Sequence, residues 1–354
     1  MSSRFLPAFL LILCSSAFAQ SDSIQRKFSF GAYGELYYSY DFSRPSHREK
    51  PAFIYNHKRH HEVNANLLLL QSSFNDTNVR ARLGLMTGNY SSYNLSHEPA
   101  WARHLYEAQA GIRLSKKQNL WLDAGIMPSH IGFESAISAD CPTLTRSMMA
   151  DNSPYYETGA RLSYTSANDK LYLSAWYLNG WQRIRWSADK TTPGLGWQLT
   201  YRPSAKMLFN CSGFLGSDRP DSLHAIRQYH NLYLQYLSPG QFSIMAGIDI
   251  GRDKDKSGTY GLWYAPIIIV RKELGKKSAM AYRCEYYDDR NQIMVETNTA
   301  HGFRTWGMSA NFDHNITDNL TWRVEGKWLH SKDRIFADNS ASNFSVTTNL
   351  TFRW

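Results

Sequence analysis

Long apolar runs are missing from this 354-residue chain once its first nineteen residues are set aside. Crossing a bilayer as a helix takes about 18 or more consecutive apolar residues. The longest runs, Leu67 to Leu70 and Ala265 to Val270, are strand-sized, which excludes a helical membrane bundle. Cysteine is scarce as well. Apart from Cys14 in the leader there are Cys141, Cys211 and Cys284, an odd set without regular spacing, which argues against a disulfide framework or a zinc site. No Gly-x-Ser-x-Gly elbow occurs, and no Ser/His/acid trio can be assembled from the sequence, so a hydrolase is a distant alternative. Nor is there a Pro/Gly/Ser linker or a repeat longer than a hairpin, and residues 20–354 read as one domain without a plug or periplasmic module.

What is present is alternation. The final strand, Asn343 to Trp354, carries Phe344, Val346, Leu350, Phe352 and Trp354 on every second position. Period two places one row on each face of a strand, and an apolar row backed by a polar row suits a wall between lipid and water. The terminal aromatic resembles the C-terminal signal read by barrel-assembly machinery, an expected partner of this strand. At the other end, Arg4, the apolar stretch Leu6 to Leu13 and Ala17-Phe18-Ala19 form a signal peptide over residues 1–19, with Gln20 as the first mature residue. Aromatic residues make up 14% of the chain, and tyrosine (22) is as frequent as glycine (22). A hydrophilic chain can sit in lipid only if every backbone group is paired, which requires a closed barrel. The predicted class is all-β: a transmembrane antiparallel up-and-down barrel of about sixteen strands, closed by the C-terminal strand.

The first strand, Phe28 to Asp41, sets Phe30, Leu36 and Tyr40 against Tyr33, Glu35 and Tyr37, so Glu35 is predicted to face the lumen. The next two, His61 to Phe74 and Thr77 to Gly88, turn through Asn75-Asp76. Their outward rows are Val63, Ala65, Leu67, Leu69 and Val79, Ala81, Leu83, Leu85; Glu62, Asn64, Asn66, Arg80 and Arg82 face inward. The same parity places Glu107, Arg113, Asp123, Glu157, Arg161, Asp249, Arg283, Glu285, Arg323, Glu325 and Lys327 inside. Segments near Lys170 to Trp181, Gln228 to Leu237 and Tyr260 to Val270 have mixed parity. Aromatics where strands meet long connections (Tyr37, Tyr38, Tyr40, Trp176, Tyr177, Trp181, Tyr286, Tyr287, Trp328) are assigned to an interfacial girdle. Short turns alternate with long polar connections, the short ones facing the periplasm.

The longest connection, residues 127–154, follows about the fifth strand and is amphiphilic (Ile131, Phe133, Ile137, Met148, Met149). It is expected to fold inward as a constriction, with Glu134, Asp140 and Arg146 facing charged wall residues across the water path. At six stretches the chain resembles the OmpL-like family of outer-membrane beta-barrel porins: GAYGELYYSYDF (31–42), KRHHEVNANLLLL (58–70), LDAGIMPSHIGFES (122–135), LNGWQ (178–182), YRCEYYDD (282–289) and WRVEGKW (322–328). The resemblance implies a pore without naming a solute.

His57 to Glu62 and Asp253 to Gly258 each resemble part of a metal site. Adjacent strand residues point to opposite faces, and Tyr264 stands where a calcium loop needs its last carboxylate, so a basic strand entry and a tight hairpin are expected, with no metal or cofactor. The formal net charge is +9, or +8 without Arg4, and it is scattered rather than clustered, which excludes nucleic acid as a partner. The expectation is a porin in the outer membrane of a Gram-negative bacterium: a passive channel for small hydrophilic solutes with weak charge selectivity, its acids and bases nearly cancelling. A homotrimer is left open. The alternative is a saccharide-specific channel lined by Tyr33, Tyr37 or Trp121.

Overall fold

The computed structural model describes residues 27–186, 189–238 and 240–354. The signal-peptide assignment therefore lies outside the described residues, as does Pro239 in one turn. Sixteen strands run in chain order: β1 Phe28–Asp41, β2 Val63–Asn75, β3 Val79–Thr87, β4 Leu105–Arg113, β5 Asn119–Pro128, β6 Tyr156–Thr165, β7 Leu171–Leu178 and β8 Gly194–Ser204. They continue with β9 Met207–Gly216, β10 Arg227–Ser238, β11 Phe242–Lys254, β12 Tyr260–Glu273, β13 Ser278–Asp289, β14 Phe303–Asn315, β15 Leu320–Ser331 and β16 Ser342–Arg353. Each pairs antiparallel with its sequence neighbours, and β16 closes the ring on β1 from Tyr33 opposite Arg353 to Asp41 opposite Ser345. Ala32 and Trp354 exchange two backbone hydrogen bonds at 2.9 and 3.0 Å, so the last residue helps to seal the seam.

The pleat sorts the side chains. On β16, Phe344, Leu350 and Phe352 are exposed outside, while Asn343, Ser345, Thr347, Asn349 and Thr351 are buried inside. β14 repeats this, with Trp306 and Met308 outside and Thr305, Asn311 and Asp313 inside. The exposed apolar row is what lipid requires, and among the described residues the closed ladder leaves no strand edge unpaired in hydrocarbon.

Three sequence assignments change. Leu67 and Leu69, expected to meet lipid, are buried inside the barrel, and Leu68 and Leu70 are the exposed pair. A β-bulge is the cause: Glu35 pairs with Leu67 and Leu36 with Ala65, so Asn66 is the extra residue and the row flips beyond it. Tyr37, Trp176, Trp181 and Tyr287 do not belong to a girdle either; all four are buried in the lumen, whereas Tyr177 is exposed. Finally, β12 is apolar on both faces. Leu262, Ile268 and Val270 point out, while Trp263, Ala265, Ile267 and Ile269 point in and pack with Ile131, Met148 and Met149. Trp263 lies so close to β11 that a Cβ at Gly251 would come within 2.0 Å of its indole, so glycine is needed there.

The short connection after β11 is the expected tight hairpin: one Asp255 carboxylate oxygen accepts from the Ser257 and Thr259 N–H groups at 2.9 and 3.0 Å. In the other metal-like stretch, His57 turns to Glu35 and the His60 ring accepts the Asp41 N–H, so these imidazoles separate.

The bulge makes a sharp prediction. With nitroxide labels placed one at a time in a cysteine-free background, Leu68→Cys is expected to relax strongly with dissolved oxygen from the lipid phase. Leu67→Cys is expected to be shielded; the reverse ranking would restore unbroken alternation along β2.

Candidate functional site

The connection between β5 and β6, here L3, leaves the wall at Ser129 and returns at Tyr155, where the Ser129 N–H donates to the Tyr155 carbonyl at 3.0 Å. Between these points it crosses the lumen. A Gly132 N–H to Asn231 Oδ1 bond (3.2 Å) and a His130 Nε2 to Gly213 carbonyl bond (2.9 Å) hold its first part against β9 and β10. The His130 ring stacks on Trp176 at 4.8 Å.

The far side of the loop rests on β13, β14 and β15, half the ring away. Glu325 accepts the Thr145 N–H at 2.5 Å, Glu285 the Met148 N–H at 2.6 Å, and Asn311 Oδ1 the Leu144 N–H at 3.0 Å. Arg283 donates to the Thr145 carbonyl (2.7 Å) and to Thr143 Oγ1 (2.8 Å), and also pairs with Glu325 at 2.9 Å. Arg323 donates to the Ser138 carbonyl (2.6 Å) and the Cys141 carbonyl (3.1 Å), and Lys327 to the Arg146 carbonyl (3.0 Å). A backbone that leaves the wall and is buried inside the barrel must find partners for its polar groups. Here charged wall side chains supply them, and charge-assisted bonds of this kind are the strong ones.

The structure therefore places Arg283, Glu285, Arg323, Glu325 and Lys327 on the inner face but under L3 rather than along open water; all five are buried. The three loop residues have different roles. Arg146 folds back on its own loop, donating to the carbonyls of Ser135 (2.5 Å), Leu144 (2.8 Å) and Ala136 (2.9 Å). Glu134 accepts from the Ser147 N–H and hydroxyl, and its burial pushes the carboxyl above the usual carboxylate range although Arg283 opposes this. Asp140 reaches the periplasmic end of the wall and pairs with Arg353 at 2.7 Å. Arg146 and Glu134 thus set the shape of the loop, and Asp140 alone of the three faces a mouth.

A second loop, L1 (residues 42–62), packs on top of L3. Asn56 donates to Asp151 at 2.8 Å, and Asn152 donates to the Phe53 carbonyl at 3.3 Å. His57 Nε2 meets Glu35 Oε1 at 2.7 Å with both side chains fully buried, and Asn66, displaced by the bulge, bonds Glu35 through its amide and the His57 N–H through its oxygen. Lys50 donates to Thr347 Oγ1 at 3.1 Å, and burial lowers its ammonium to about 8. Burial raises the Asp151 carboxyl. The sequence assigns Glu35 to the lumen and residues 42–60 to a long polar connection, but polar composition reads as solvated and carries no sign that this loop packs inward.

Below L3 the periplasmic mouth is divided into two basins. One, of about 470 Å³, lies between Ala139–Pro142 of the loop and the wall residues Arg271, Glu273, Asp313 and Arg323. The other, of about 390 Å³, lies along β3 to β8 and is lined by Arg80, Arg82, Trp121, Asp123 and Arg161. Glu107, beside it, accepts from the side-chain amides of Gln71 and Gln109, each at 3.1 Å. On the extracellular side a cavity of about 240 Å³ opens between L1 and residues near Glu296 and Ala337.

Similar architectures are known. An anion-selective porin from Comamonas acidovorans matches 92% of this chain and 99% of its own, with a TM-score of 0.62 and 8% identity. OmpF of Salmonella typhi, solved in complex with daunomycin, matches 92% and 97%, with a TM-score of 0.63 and 8% identity. A trimer form of OmpT, an outer-membrane protein of Vibrio cholerae, matches 92% and 99%, with a TM-score of 0.57 and 6% identity. At such identities the likeness shows the fold alone. No curated protein matches the sequence. The family model described as "Putative beta-barrel porin-2, OmpL-like" matches residues 27–354, the entire described barrel, and the chain belongs to that family of porins.

Proposed function

We propose that this porin is a passive outer-membrane channel for small hydrophilic solutes whose passage is set by L3. The observation that carries the reading is the clamp of Glu285, Glu325, Arg283 and Arg323 on the loop backbone, which fixes an obstruction at one place in the lumen. Solutes must pass L3 and L1, so the expected conductance is small. Selectivity by charge is weak at L3 because the wall charges beneath the loop are paired at contact distance: Glu325 with Arg283 and Asp313 with Arg323.

The same reading includes removal of residues 1–19 on export, assembly through the C-terminal strand ending at Trp354, and packing of protomers into a homotrimer within outer-membrane lipid. A saccharide slide is a weaker account, since Tyr33 and Tyr37 are buried and only Trp121 of the three rings lines a basin.

In planar bilayers the purified protein is expected to give small, discrete conductance steps and a reversal potential near zero across a salt gradient. Replacing residues 134–147 with a short Gly-Ser linker should raise the step size several-fold. Folded protein that inserts without steps, or a linker variant with unchanged conductance, would refute the channel reading. Arg283→Gln should lower the unfolding free energy in urea-titrated micelles by about 3–5 kcal/mol, because Glu325 then stays buried without its cation. The same variant should expose L3 to protease, and an unchanged midpoint would mean that the clamp contributes little.

A further inference from the structure

The two periplasmic basins hold different charge. In the basin against β11 to β15, Arg271 and Arg323 both pair with Asp313, Arg271 also meets Glu273, and Asp140 pairs with Arg353, so positive and negative charges are matched. In the basin along β3 to β8, Arg80 and Arg161 converge on the single carboxylate of Asp123, through contacts of 2.6 and 2.9 Å. Each uses Nε and Nη2 for this, leaving the Nη1 end without an acid. Arg82 lies two residues beyond Arg80 on the same inward face, is exposed, and among the described residues makes no ion pair. Another acid, Glu107, shares a small adjoining cavity with Arg82, but its oxygens accept amides from Gln71 and Gln109.

Arg80 and Arg161 are also held in place. Arg80 lies over the Trp121 ring at 4.4 Å, and Arg161 over Trp176 at 5.0 Å. Trp176 is fixed in turn by His130 of L3, and the Trp121 indole N–H bonds Asn119 at 2.7 Å. A guanidinium seated on a ring and anchored to a carboxylate loses little freedom when it binds an oxyanion, and its planar fork suits carboxylate and phosphate oxygens. The cavity, about 390 Å³, falls within the roughly 300–1,000 Å³ of small-molecule sites.

We propose that this basin is a binding subsite for a small organic anion bearing a carboxylate or phosphate group, with Arg82 as its principal cation and Arg80 and Arg161 as fixed supports. It deepens the channel reading by naming a solute class, yet binding is measurable without current.

The test is calorimetric titration of detergent-solubilised full-length protein with glucuronate, glucose and inorganic phosphate. Glucuronate or phosphate should bind with an affinity that falls as salt rises, while glucose, which lacks the anionic group, should not. Binding by glucuronate alone assigns the site to carboxylates, and binding by phosphate alone assigns it to phosphates. Arg82→Gln leaves the Asp123 trio intact and should weaken binding about tenfold or more. Absence of binding by both anions, equal binding of glucose, or unchanged affinity in Arg82→Gln would overturn the proposal. A protein that binds the anion but never conducts would instead overturn the channel reading and leave the subsite standing.

Discussion

A polypeptide that crosses the inside of a barrel has to hydrogen-bond its own backbone away from bulk water, and the rest of this architecture follows from how that is met. Carboxylates of Glu285 and Glu325 accept loop N–H groups, while Arg283, Arg323 and Lys327 donate to loop carbonyls. Because the wall groups carry opposite charges and contact one another, taking them out of water is offset by mutual pairing as well as by the loop. Removing one partner leaves the other buried and uncompensated, so the clamp behaves as a unit.

The apolar side of L3 is met in the same way. Met148, Met149 and Ile131 lie against the inward row of β12, where Trp263, Ala265, Ile267 and Ile269 replace the polar residues a water-filled wall would carry. Burial of such a row contributes roughly 25 cal/mol per Å² of apolar surface covered, and it gives the loop a preferred depth that polar bonds alone would not select. L1 then closes on L3 through Asn56 and Phe53, with the bulge at Asn66 aiming an amide at the Glu35–His57 pair. The interior is thus ordered from the wall inward, and open space is left mainly in the basins at the two mouths.

The barrel was legible in the sequence because period-two alternation is a local property: β16 shows lipid-facing Phe344, Leu350 and Phe352 and lumen-facing Asn343 to Thr351 without any knowledge of neighbours. The inward positions of Glu35, Arg80, Asp123, Arg283 and Glu325 followed from the same periodicity. What alternation could not reveal is what fills the lumen. It equates inward with wet, so it sets the inward Leu67, Leu69, Trp176 and Tyr287 against lipid or its interface and reads β12 as mixed. The flip at Leu67 depends on a bulge that one pairing register reveals and a single strand does not. Residue type and position set Arg146 against charged wall residues, whereas its guanidinium donates to the Ser135, Ala136 and Leu144 carbonyls of its own loop, a contact that spacing does not disclose.

The central claim is that L3 spans the lumen and lies on the opposite wall, with the Leu144 N–H on Asn311 Oδ1 at 3.0 Å. Pairing Leu144→Cys with Asn311→Cys in an otherwise cysteine-free protein tests it most directly. Mild oxidation in the membrane should form an intramolecular disulfide in high yield, joining the two proteolytic fragments in a peptide map. A pair that stays reduced in fully folded barrels, or that cross-links only after unfolding, would contradict the account.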